Sequence, residues 1–66
     1  MMKMIEVKDC NNNNALIDPL SIHAVVQESR KGKKITVIFF NGGWHINLSE
    51  DYEDVKRKLN EVMNYF

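Results

Sequence analysis

Lys34-Ile35-Thr36-Val37-Ile38-Phe39-Phe40-Asn41-Gly42-Gly43-Trp44-His45-Ile46-Asn47-Leu48 is the stretch whose reading decides the fold of this chain. Asn41-Gly42 is the dipeptide best suited to a two-residue hairpin turn, because both central residues of a type I′ turn take positive φ. Alternating apolar residues flank it on both sides. A two-residue turn places Phe39 opposite Trp44, Val37 opposite Ile46 and Ile35 opposite Leu48. Those six side chains share one face, since directly opposed residues of an antiparallel pair point the same way. Ile38 and Phe40 then point to the other face.

Working outward, residues 3–9 alternate as a first strand, with Ile5 and Val7 on one side. Asn11-Asn12-Asn13-Asn14 reads as a turn, because asparagine tolerates left-handed backbone and bonds its own main chain. Residues 15–28 resume extended structure with a break at 18–21. There Pro19 removes a ladder donor, and Asp18 can cap a single turn. Ser29-Arg30-Lys31-Gly32-Lys33 is a polar loop with Gly32 at its positive-φ position. Strands at 34–40 and 43–48 form the hairpin.

Beyond Leu48 the period changes from 2 to 3.6. Tyr52, Val55, Leu59, Val62, Met63 and Phe66 recur every three or four residues, the apolar stripe of an amphipathic helix over residues 50–65. Ser49 suits the N-cap, and Glu50, Asp51, Glu53 and Asp54 suit the positive end of the helix dipole. Glu53–Arg57 and Asp54–Lys58 have the spacing of i,i+4 ion pairs. A helix of about sixteen residues spans roughly 24 Å, and a seven-residue strand spans roughly 23 Å. One helix therefore covers one sheet face.

The chain has 66 residues, enough for one domain with a thin core. Cys10 is the only cysteine, which excludes an internal disulfide and fits a reducing, cytoplasmic setting. Nine basic residues balance nine acidic ones, so the net charge implies neither a nucleic acid nor a membrane surface. No apolar run approaches the roughly 18 residues of a membrane span, and no secretory leader is legible. A small core without disulfide support points to oligomerisation.

Chemistry-bearing patterns are sparse. Cys10, His23 and His45 lack the short spacing of zinc ligands, so no metal site is expected. No base or orienting group is placed for a Cys10 nucleophile, and the acidic cluster at 50–54 is explained by the helix dipole. The reading is of a protein without catalytic residues or cofactor. Arg30, Lys31, Lys33 and Lys34 form the one dense charge run and are the candidate phosphate contacts for a nucleic acid. No aromatic residue is interleaved with them as a stacking platform. Met4, Val25, Ile38 and Phe40 fall on the face away from the helix and form the candidate interaction patch.

Three segments, Met4-Ile5-Glu6-Val7, Leu16-Ile17-Asp18-Pro19-Leu20-Ser21-Ile22 and Ile35-Thr36-Val37-Ile38-Phe39-Phe40-Asn41-Gly42, followed by Leu48-Ser49-Glu50 and the helix from Val55, resemble the FlbD (SwrD) family of small flagellar proteins. The resemblance covers nearly the whole chain. It implies a motility accessory factor without an active site. The same topology suits a phage or mobile-element accessory protein.

These readings converge on an α+β domain. It is a small antiparallel meander of three to four strands with one C-terminal amphipathic helix packed on one face. The expected core is Ile5, Val7, Val37, Phe39, Trp44, Ile46, Leu48, Tyr52, Val55, Leu59, Val62 and Phe66. On this placement, truncating Trp44 to alanine costs about 3–5 kcal/mol. The expected function is a non-enzymatic protein-interaction module, self-associating through the uncovered sheet face or an unpaired edge strand. The alternative is a small nucleic-acid-binding protein using loop 30–34.

Overall fold

Asp9 starts the chain's first reversal. Its carboxylate accepts the backbone N–H groups of Asn11 (2.9 Å) and Asn13 (2.8 Å), and Asn12 takes a φ of 66° between them. Asp18 organises the second, where its side chain accepts the N–H of Leu20 at 3.0 Å and caps the 3₁₀ turn Pro19–Ser21. In the computed structural model, which describes residues 3–63, these turns separate β1 (Ile5–Lys8), β2 (Asn14–Ile17) and β3 (Ile22–Arg30). Then follow β4 (Lys33–Phe40), β5 (His45–Leu48) and the helix α1 (Tyr52–Met63). The expected helix end at residue 65 and the core candidate Phe66 lie outside the described residues.

The architecture is α+β, with antiparallel sheets and a C-terminal helix. Among the described residues the strands number five and form two sheets, β1–β2 and β3–β4–β5. The segment read as 15–28 is two strands, one on each side of the Asp18-Pro19 break. A bridge between Asp9 and Leu48 joins the sheets. Cys10 donates to the Asn47 carbonyl (3.0 Å) and Ser49 to the Lys8 carbonyl (3.1 Å) at that junction.

The core lies where α1 meets both sheets. Ile5, Val7 and Ile17 come from the smaller sheet, Ile38, Phe40 and Leu48 from the larger, and Val55 and Leu59 from the helix. Thr36 is buried beside them and donates its hydroxyl to the Glu50 carbonyl at 2.8 Å. Asp51, rather than Ser49, caps α1, accepting the N–H of Glu53 at 3.1 Å. Ser49 is held in the sheet junction and cannot serve. The acid–base pairs also differ from the expected spacing. Arg57 reaches Asp54 (2.8 Å), whereas Lys58 bonds Glu50 (2.6 Å) and the Glu6 carbonyl (2.8 Å), tying α1 to β1.

The hairpin register corrects the sequence reading. Phe39 pairs with His45, Ile38 with Ile46, Val37 with Asn47 and Thr36 with Leu48. The connection has three residues, not two. Phe40 donates to the Trp44 carbonyl (2.9 Å) and Gly43 to the Phe40 carbonyl (3.2 Å). Positive φ falls on Gly42 (101°) and Gly43 (94°), and Asn41 does not share it. One added loop residue reverses the facing of β4 relative to β5. Ile46 and Leu48 point inward as read, but they share their face with Ile38, Phe40 and Thr36. Trp44 is 59% exposed, and Phe39 is only half-buried on the opposite face. The I′-type turn lies instead at Lys31 (φ 50°) and Gly32 (φ 77°), between the paired residues Arg30 and Lys33.

Candidate interaction surface

Paired residues share a face, so the register fixes what each side of β3–β4–β5 displays. The side under α1 carries Ile22, Val25, Thr36, Ile38, Phe40, Ile46 and Leu48. The opposite side carries Ala24, Val26 and Glu28 from β3, Ile35, Val37 and Phe39 from β4, and His45 and Asn47 from β5. A register shift between Ile22 and Ala24 makes His23 the extra residue of a β-bulge, which explains how Ile22 and Ala24 come to face opposite ways. The core residues of α1 and of the β1–β2 sheet pack with those of the first side, which makes the second the outer side of this sheet.

Val37 is nevertheless fully buried there. It sits mid-strand with Val26 and Asn47 beside it and Ile35 and Phe39 along its own strand. Around it, Val26 is 37% exposed, and Ile35 and Phe39 are half-buried. The Phe39 and His45 rings lie 5.6 Å apart at a tilt of 44°. Asn47 contributes a buried Oδ1 with no hydrogen-bond partner among the described residues. The side is therefore apolar at its centre, with polarity at its margins.

This placement corrects the candidate patch. Ile38 and Phe40 are core residues, and Val25 packs half-buried beside them under α1. Met4 alone of the four is exposed, at 49%, and it precedes β1. The uncovered residues are those next to the expected ones in sequence. The missed signal was Gly43, since a second glycine after Asn-Gly permits a three-residue connection.

The basic loop does not converge on one face. Arg30 is paired with Glu28 at 2.8 Å. Lys31 lies at the turn, and Lys33 pairs with Arg30 on the uncovered side. Lys34 pairs with Ser29 and points to the other side. Cys10 is exposed in the β1–β2 connection, while His23 and His45 are exposed on separate strands. Among the described residues no group of three His, Cys, Asp or Glu side chains is placed to hold a metal, and no helix is long and apolar enough to cross a membrane.

An apolar groove of about 230 Å³ runs between the 3₁₀ turn, β3 and α1, lined by residues that include Pro19, Val25, Tyr52 and Met63. Tyr52, expected in the core, is half-buried at this groove. No family model, curated protein or solved structure matches the chain.

Proposed function

We propose that this protein is a non-enzymatic interaction module that self-associates through its β3–β4–β5 sheet. The observation that carries the reading is the uncovered side of that sheet. Val26 is more than a third exposed there, and half-buried Ile35 and Phe39 surround Val37. A chain of this size buries only about 60% of the surface its unfolded form exposes, so a contact with a second copy that buries further apolar area around Val26 adds stability it otherwise lacks. The balanced charge of nine basic and nine acidic residues presents no long-range barrier to two copies meeting.

The resemblance to the FlbD family supports placing the module as a motility accessory, and flagellar genes beside its own gene would support that setting. The association itself is tested by sedimentation of the full chain over a concentration series, beside Val26→Lys. The expected result is a dimer or larger species for the natural sequence and a folded monomer for the variant. A natural chain that stays monomeric at millimolar concentration overturns the reading.

A nucleic-acid reading through Arg30, Lys31, Lys33 and Lys34 has weaker support, because Arg30 is neutralised by Glu28 and the lysines diverge. Salt-dependent binding of an oligonucleotide, lost in a variant with all three lysines replaced, would favour it instead.

A further inference from the structure

We infer that the second copy docks edge to edge, β3 against β3 in antiparallel two-fold pairing, to build one six-stranded sheet. This rests on the self-association reading and specifies its geometry. β3 spans nine residues, and among the described residues its outer edge pairs with no strand. Exposed edges are ordinarily blunted by lysine, proline or short length. The edge strands β1, β2 and β5 are each only four residues long. Between Ala24 and Ser29, β3 has neither lysine nor proline, and its bulge at His23 leaves that run regular.

The hydrogen-bond pattern says which groups the edge offers. Phe40 donates to the Trp44 carbonyl, so Phe40, Ile38 and Thr36 direct their backbone groups toward β5. The alternate residues Ile35, Val37 and Phe39 therefore bond β3, where their partners are Glu28, Val26 and Ala24. Val25, Gln27 and Ser29 are left with N–H and C=O groups aimed outward. A two-fold axis through Val26 sets Val25 against Gln27 of the second copy, and the reverse, in hydrogen-bonded pairs. It also sets Val26 against its own counterpart in a non-hydrogen-bonded pair on the uncovered side.

Charge agrees with this register. Glu28 and Arg30 neutralise each other at 2.8 Å near one end of the strand. The two-fold places them opposite Ala24 and the Ile22 end of the second copy, so like charges do not meet. The pairing merges two apolar sheet sides into one that is twice as wide. The groove flanking Val25 remains open on the helix side.

Three full-length variants test the edge. In Cys10→Ser/Val26→Cys the new thiols lie at a non-hydrogen-bonded pair, with Cα atoms about 4.5 Å apart, a separation that a disulfide spans. Mild oxidation should therefore give a covalent dimer in high yield. Gln27→Pro removes an outward N–H while sparing every bond to β4, and dimer affinity should fall at least tenfold. Phe39→Lys lies one strand from the contact and should leave dimer affinity within about threefold of the natural chain's. If the natural chain dimerises but Phe39→Lys dissociates it and Val26→Cys does not crosslink, the contact is face to face. Edge pairing is then wrong while self-association stands. If Gln27→Pro fails to fold by circular dichroism, the crosslink decides. A monomeric natural chain overturns both.

Discussion

Trp44 stacks on Phe40 with ring centroids 4.1 Å apart and planes 15° from parallel, yet one ring is at the surface and the other in the core. The two truncations should therefore differ sharply. Phe40→Ala opens a cavity among Ile38, Leu48 and the helix residues, at a cost of about 3–5 kcal/mol, comparable to the whole stability of so small a domain. Trp44→Ala forfeits a stacking contact of roughly 0.5–1.5 kcal/mol together with the minor part of the ring that is out of solvent, and opens no cavity in the core. Chemical denaturation of both variants should show Trp44→Ala folded and Phe40→Ala largely unfolded. Equal losses would contradict the register.

Glu50 connects β1 to α1. Its Oε2 accepts the Lys8 N–H at 2.7 Å, its Oε1 meets the Lys58 ammonium at 2.6 Å, and its carbonyl accepts Thr36. Its side chain is 19% exposed, so solvent screens the pair incompletely. Glu50→Ala should cost about 1–2 kcal/mol. A double-mutant cycle with Lys58→Met should return a coupling of about 0.5–1 kcal/mol. Zero coupling would mean that the ion pair has no energetic weight.

Asp9 should set an acid limit on the first loop. The backbone hydrogen bond from Asn13 is the largest influence, holding its carboxyl below the ordinary value of 3.8 against an opposing desolvation cost, with further bonds from the Asn13 side chain and the Asn11 backbone adding to the depression. A depressed carboxyl contributes stability above its unfolded value and loses it as pH falls through the folded one. Thermal melts should therefore decline below about pH 4, and Asp9→Asn should flatten that decline. An identical acid profile in the variant would remove Asp9 from the account.

Asn47 should be replaceable with profit. Its Oδ1 is buried without a partner among the described residues, while its backbone carbonyl serves Cys10 and is untouched by substitution. Asn47→Val removes the orphan acceptor beside Val37 and should stabilise by about 1 kcal/mol, roughly 4–8 °C in Tm for a domain this size. A lower Tm would show that the amide meets a donor.

The change of period after Leu48, the capped turn at Asp18-Pro19 and the inward set Ile5, Val7, Ile46, Leu48, Val55 and Leu59 were legible because each is carried by local pattern. The facing of β4 was not, because Ile35, Val37 and Phe39 on one side and Ile38 and Phe40 on the other are equally apolar. Alternation cannot choose between two greasy sides; only loop length can. The type I′ geometry at Lys31-Gly32 was hidden because lysine is an unusual occupant of left-handed backbone. The uncovered side was anticipated in kind but assigned to its sequence neighbours for the same reason.

The pair of glycines after Asn41 thus acts as a spacer whose length matters more than its chemistry. Many residues could be exchanged across this sheet with only graded effects. Losing a single position at Gly42-Gly43 would exchange oil-facing and water-facing side chains along the ribbon in one step. Natural variation should therefore tolerate substitutions around this bend far more readily than insertions or deletions within it.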